Sequence, residues 1–355
     1  MKKEYNTKRI RDFGFVTGLL PPGRLNKITD VRGVCVGHQT RIEGDDIRTG
    51  VTLIDPGIDN LFHDKLPAAV AIGNGFGKLA GATQIQELGT LETPIALTNT
   101  LAVGAAMQGL IELVLRITPD MPPAKTINAV VGETNDGTVN DIYRCVISSA
   151  DVAAAHANRT KNFALGSIGA GTGTCAFSWK GGIGSASRVI QPGRKKYTVG
   201  ALLQTNFGGA LTILGVPIGK LLGKINFSGY LPPRSDGSCM MILATDAPLS
   251  SRQLGRIARR AALGLGRVGS VMAHGSGDYA IIFSTHRAGV EGSGAGDCLP
   301  ETQLTPFFLA AIEAVEESVY DSLFTAEPMT GRDGNTLEQL PVAKVVTILH
   351  KHLRK

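Results

Sequence analysis

The sequence predicts an α+β fold of two sheets stacked face to face, each covered on its outer side by helices. Three observations lead there. Short apolar or β-branched segments crowd the middle of the chain at 163–168, 184–190, 197–207 and 211–216, a spacing that favours hairpins over crossover connections. Helical patterns flank them, at 101–117 on one side and at 250–268, 304–325 and 342–353 on the other. The 45 glycines and 5% aromatic residues suit tight turns and closely packed small side chains.

Local rules justify the elements in chain order. Segment 28–37 has the β-branched bias and loose alternation of a strand, and 50–56 reads as a second one ended by Pro56. Strand 67–72 runs into the glycine-rich turn Gly73, Asn74, Gly75, Phe76, Gly77, then a short helix at 82–88. After 94–98 comes 101–117, where Glu112 and Arg116 are the only charges, the composition of a helix buried on a sheet. Strand 129–133 leads into Thr134, Asn135, Asp136 and Gly137, and 151–158 is helical. Segment 239–244 is short and apolar enough for a buried strand. The stretch from Asp246 to Ser250 supplies turn and cap residues for the helix that follows. Strand 279–284 and a glycine-rich loop at 289–296 precede the last two helices, and no internal repeat occurs.

Composition excludes several classes. Hydrophobic content of 43% with 19% charge is globular. No uninterrupted apolar run reaches about 18 residues, so the expectation is a soluble chain off the membrane. The basic start, Lys2 and Lys3, is not followed by an apolar core and does not read as a secretory signal. Cys35, Cys145, Cys175, Cys239 and Cys298 are scattered, without metal-ligand or CxxC spacing, which suits a reducing, cytoplasmic setting. The net charge of +6 is dispersed, apart from Arg252 to Arg267 and the tail from His350, so no nucleic-acid partner is expected. Gly264 to Gly269 fits GxGxxG but sits at a helix end, and Gly169 to Gly173 lacks the Walker lysine and hydroxyl. No metal or cofactor is expected.

The chemistry concentrates in 231–249. After the prolines Pro232 and Pro233 comes Asp236, Gly237, Ser238 and then the apolar strand. Ser238 thus stands at a strand mouth, where a hydroxyl is held rigidly yet faces solvent. Gly237 before it puts no Cβ in the way of its own carbonyl. Attack by Ser238 on that carbonyl would give an ester, and hydrolysis would leave Ser238 as a new N-terminus. Its α-amine, titrating near about 7.7–8.0, is a general base on the same residue as the nucleophile. Asp-Gly is equally the commonest two-residue hairpin signal, so these residues alone leave both readings open. A Ser-His-Asp assembly drawn from Ser276 or Ser238 with His274 is a minor alternative, since the GxSxG elbow is absent.

With Asn206, Phe207, Gly208 and Gly209 upstream and Gly275, Ser276, Gly277 and Asp278 downstream, this stretch resembles the family of L-aminopeptidase/D-amidase/esterase (DmpA) and the β-peptidyl aminopeptidases. The likeness extends to Arg11–Gly14, Ile28–Val31, Gly73–Gly75 and Gly132–Gly137, in the same order along nearly the whole chain. The resemblance implies one peptidase domain over 1–355, cut between Gly237 and Ser238 into chains 1–237 and 238–355 that stay associated. It implies a four-layer αββα sandwich, like the N-terminal nucleophile hydrolases in plan with different connectivity. Such proteins form oligomers, commonly tetramers of the cut pair, and remove N-terminal residues from short peptides, amides and esters without a metal.

By the same resemblance Ser238 is the nucleophile, Ser276 and Asp278 lie beside it, and Asn206 donates to the oxyanion. Glu133 would bind the substrate's protonated amine. Where relatives carry a tyrosine in the loop after that glutamate, this chain has Thr134, Asn135 and Asp136, with Tyr143 further on. Either Asn135 substitutes for the phenol or the contact is missing. Two rival classes stay open: an acyl transferase like the ornithine acetyltransferases, which typically cut before threonine, and a catalytically silent binding protein on the same fold.

Overall fold

The computed structural model describes residues 8–225, 237–290, 292–294 and 296–353. The expected loop 231–236 lies outside the described residues. Strands β1 (Cys35–Glu43), β2 (Ile47–Asp55), β3 (Leu66–Gly75), β4 (Leu79–Ala80), β5 (Thr90–Leu91), β6 (Ile95–Asn99) and β7 (Val130–Thr134) come first. They are followed by β8 (Cys175–Ala176), β9 (Trp179–Lys180), β10 (Gly182–Ile190), β11 (Tyr197–Asn206), β12 (Gly237–Thr245) and β13 (Ser276–Ser284). The helices are α1 (Ala82–Leu88), α2 (Val103–Ile117), α3 (Ser149–Ala157), α4 (Ile218–Leu221), α5 (Ser251–Arg267), α6 (Thr305–Phe324) and α7 (Val342–Leu353).

Strand alternation sorts the apolar side chains into layers. In β12, Met240, Ile242 and Ala244 join a cluster with Leu97, Val130, Leu202 and Ile281. Met241 and Leu243 join another with residues of α5 and α6. A third cluster packs Val51, Leu53 and Val131 against α2 and α3. The result is the four-layer αββα sandwich: a five-stranded sheet ordered β1-β2-β6-β7-β4 faces a six-stranded sheet ordered β10-β11-β12-β13-β3-β5.

Three expectations are corrected. Strand 28–37 begins only at Cys35, because Asp30 accepts from Leu25 N–H (2.9 Å) and Lys27 N–H (3.2 Å) and winds Ile28–Asp30 into a 3-10 turn. Segments 163–168 and 211–216 are not strands; each makes an isolated bridge, Gly166 to Ile183 and Ile213 to Val216. The hairpin expected of the mid-chain strands joins β10 to β11, and another joins β1 to β2; outside the 163–216 stretch, β6 pairs with β7, and β12 with β13, in parallel. Those two pairs need the crossover helices α2 and α5. Helix α2 is buried on one face only, through Ala106, Gly109, Leu110, Leu113 and Val114, while Leu115 is exposed. With the preceding turn it is long and apolar enough to cross a membrane by length and composition.

An ionic ladder ties the ends of the chain together. Glu313, Glu317 and Asp321 recur every four residues on α6, so they line one face. Arg188 Nε donates to Glu313 (3.0 Å) and its Nη2 to Glu317 (2.7 Å), Arg11 Nη2 donates to Glu317 (2.8 Å), and Arg9 Nε donates to Asp321 (2.7 Å). Burial alone would raise the Glu317 carboxyl, but Arg11 and Arg188 hold it below its ordinary value.

Candidate active site

Ser238 occupies the second position of β12, in the middle of the six-stranded sheet. It lies opposite Asn206, the last residue of β11, and beside Gly277 on β13. Sheet order thus gathers three separate motifs at one end of three adjacent strands. Ser238 is 5% exposed, so the expected solvent-facing hydroxyl is instead buried. Its Oγ donates to the Gly237 carbonyl oxygen at 2.6 Å. Gly237 has no left-handed φ, so glycine is needed for room: a Cβ there would stand 3.2 Å from Phe207 Cα and 3.3 Å from Ser276 Oγ.

Ser276 pairs with Gly237, and Asp278 with Cys239, so both project from β13 one position away from the Ser238 row. Ser276 stands beside Gly237 and Asp278 beside Cys239, on either side of Ser238 in the parallel register, and neither makes a hydrogen bond to the Ser238 hydroxyl. Among the described residues, neither Ser276 Oγ nor either Asp278 oxygen has a partner of ordinary hydrogen-bond geometry. Burial pushes the Asp278 carboxyl up to about 6, with the nearby Ser276 hydroxyl opposing the rise. The turn before β13 is held by Asn74, whose Nδ2 donates to the carbonyls of Ala273 (3.1 Å), His274 (3.0 Å) and Ser276 (2.5 Å).

The Asn206 amide is oriented from behind. Cys175 N–H donates to its Oδ1 at 2.9 Å, which turns the NH₂ end the other way. Cys175 is paired with Lys180 in the β8–β9 hairpin. Lys180 is fully buried and donates from Nζ to the carbonyls of Gly171 and Gly181, both at 2.7 Å. Burial lowers its pKa to about 7.

Glu133 comes from β7 of the facing sheet and is 1% exposed. Lys78 N–H donates to its Oε1 at 2.8 Å, and the Thr100 hydroxyl donates to Oε2. No lysine or arginine among the described residues forms an ion pair with it. Asn135, two residues on, is exposed, and its Oδ1 accepts from Gly137 N–H (2.8 Å) in an Asx-turn. Tyr143 is also exposed, with Arg332 against its ring. His274 turns its ring toward Phe76, with centroids 6.2 Å apart, and makes no hydrogen bond to Ser238 or Ser276. Lys78, Thr100 and Asn74 were not expected as site residues from the sequence, where 73–77 read as a glycine-rich turn.

A cavity of about 540 Å³, lined among others by Lys27, Thr40, Phe163 and Glu327, shares no residue with this cluster. Among the described residues no group of three His, Cys, Asp or Glu side chains is placed to hold a metal ion. What remains is a serine beside its own carbonyl, an amide donor across from it, and two buried carboxylates without cations.

The model of peptidase family S58 matches residues 26–337. The chain is 36% identical over 383 residues to the β-peptidyl aminopeptidase BapA of Sphingosinicella microcystinivorans, covering 98% of this chain and 93% of that one. Among solved structures, a Burkholderia sp. β-aminopeptidase is 37% identical with a TM-score of 0.85, covering 97% of this chain and 99% of that one. The L-aminopeptidase D-Ala-esterase/amidase of Ochrobactrum anthropi, described as a prototype serine aminopeptidase and a variant of the Ntn hydrolase fold, is 34% identical with a TM-score of 0.86. That likeness covers 98% of this chain and 99% of that one. Likeness of this extent, running through the strands that carry Ser238, Asn206 and Glu133, establishes that the chain belongs to peptidase family S58.

Proposed function

We propose that this hydrolase is a self-processing serine aminopeptidase that releases N-terminal residues from short peptides, amides or esters. The observation that carries the reading is the Ser238 hydroxyl, hydrogen-bonded at 2.6 Å to the carbonyl of the peptide bond just before it. In processing, Oγ attacks the Gly237 carbonyl carbon, the C–N bond to Ser238 breaks, and the hydroxyl proton passes to the departing nitrogen. Water then hydrolyses the ester, leaving a Gly237 carboxylate and a Ser238 α-amine.

In turnover that amine takes the proton from Oγ as it attacks the substrate carbonyl, and Asn206 Nδ2 donates to the developing oxyanion. The leaving group collects the proton, and water releases the acyl group. Ser276 and Asp278, beside the scissile peptide, steady the new ammonium. Glu133 receives the substrate's own ammonium. The buried acids Glu313, Glu317 and Asp321 on α6 face arginines, as do Asp55 and Asp151, whereas Asp278, Glu133 and Asp136 form no ion pair among the described residues. An uncompensated buried carboxylate is costly until a cation arrives. The exposed Asn135 belongs to the substrate side of the same reading. Tetramers of the cut pair and a cytoplasmic setting complete it.

Intact-mass measurement tests the proposal. Wild type should give two chains, the second beginning at Ser238, and Ser238→Ala one full-length chain without activity on L-alanyl p-nitroanilide. Equal processing of wild type and variant would refute it. A processed protein that transfers acetyl groups but hydrolyses no aminoacyl amide would favour the acyltransferase class.

A further inference from the structure

Between β3 and β4 the chain changes sheets through three residues, Phe76, Gly77 and Lys78. Strand β3 belongs to the sheet that carries Ser238, and β4 to the sheet that carries Glu133. The link therefore bridges the two halves of the site. It is packed tightly at its centre: a Cβ on Gly77 would stand 3.1 Å from Glu133 Oε1, 3.1 Å from Gly277 Cα and 3.2 Å from Tyr279 Cε2. Gly77 has no left-handed φ, so here too glycine serves for space.

Each residue of the link is pinned. Phe76 N–H donates to the Ser276 carbonyl (3.2 Å), the Tyr279 hydroxyl to the Gly77 carbonyl (2.8 Å), and Lys78 N–H to Glu133 Oε1 (2.8 Å). One end grips the turn beside the nucleophile, and the other grips the carboxylate. Tyr279 itself follows Asp278 on β13 and is 6% exposed.

We propose that this crossing, held by Tyr279, is the gauge that sets how far the free amine of an accepted substrate lies from its reacting carbonyl. Gly77 is then a specificity-determining residue and Tyr279 a positioning residue. The inference rests on Glu133 holding the amine. An α-aminoacyl group has one carbon between amine and carbonyl and a β-aminoacyl group two, a difference of at most about 1.5 Å, one C–C bond. Against that, a displacement of a few tenths of an ångström in a packed gap is a large fraction.

The test compares kcat/KM for L-alanyl and β-homoalanyl p-nitroanilides, which bear the same side chain. In Gly77→Ala the new methyl pushes Glu133 away from Gly277, and the β-to-α ratio should rise about threefold or more. Tyr279→Phe keeps the ring and removes the pin; KM should rise for both substrates with kcat little changed, and the ratio should move by about threefold or more. Smaller changes of the ratio overturn the gauge, and should Gly77→Ala fail to fold, Tyr279→Phe decides alone. Glu133→Gln separates the two readings. If turnover is unchanged there, the amine site itself falls; if turnover is lost while the ratios of the other variants hold, the gauge alone falls.

Discussion

Replacing Asp278 by Asn should stabilise the uncut chain at pH 8 and do so far less at pH 4. Asp278 is fully buried, and burial pushes its carboxyl up to about 6. An unfolded chain ionises aspartate near about 3.9. Between those values the folded state binds more protons, so stability is full below pH 4 and falls as pH rises through 6. Two pH units at about 1.4 kcal/mol each put the loss at about 3 kcal/mol. For 355 residues the usual unfolding entropy makes 1 kcal/mol worth about 1.3 °C, so the effect is about 4 °C. The comparison belongs in a Ser238→Ala background, where no new α-ammonium forms to compensate the carboxylate. Thermal melts of Ser238→Ala with and without Asp278→Asn, at pH 4, 6 and 8, should show a gap that widens by about 4 °C from pH 4 to 8. A gap independent of pH, or one that narrows, would refute the reasoning that Asp278 is an uncompensated buried acid.

Three further outcomes follow from the geometry. Asn206→Ala should lower kcat by about 10²–10³ with KM little changed, measured on L-alanyl p-nitroanilide after confirming that the chain is cut. Gly237→Ala brings a methyl within 3.3 Å of Ser276 Oγ and 3.2 Å of Phe207 Cα. A displacement of a few tenths of an ångström at the reacting atoms should slow processing roughly three- to tenfold on a gel time course. Arg188→Met leaves Glu313 and Glu317 buried without their shared partner and should cost about 3–5 kcal/mol, read from denaturant unfolding of the uncut Ser238→Ala chain.

Periodicity made much of the fold legible. Helices at 82–88 and 342–353 match α1 and α7 residue for residue: Gly81 and Gly89 bound the first, and Val342, Val345 and Leu349 recur on the buried face of the second. The misreadings fall where local chemistry or distant partners decide. Asp30 diverts a β-branched run into a turn, and β1 carries His38, Gln39, Thr40 and Arg41, polar residues that do not announce a strand. The parallel pairing of β12 with β13 depends on α5 docking between them, which no short window contains. In the site, Ser238, Asn206, Ser276, Asp278 and Glu133 stand in motifs visible along the chain. Lys78, Thr100 and Tyr279 act through a backbone N–H, a single hydroxyl and a phenol, none of which carries a spacing signature. Their roles exist only once two sheets meet.

The ladder on α6 has a consequence for the mature protein. Arg9, Arg11 and Arg188 precede residue 237, whereas Glu313, Glu317 and Asp321 follow it. Strand β12 is likewise flanked by β11 from before that point and hydrogen-bonded through β13 to β3. A break at Gly237 would therefore produce two polypeptides that never meet as strangers: they are born interlocked, sharing one sheet and one set of neutralised charges. Dissociating them would mean unfolding both.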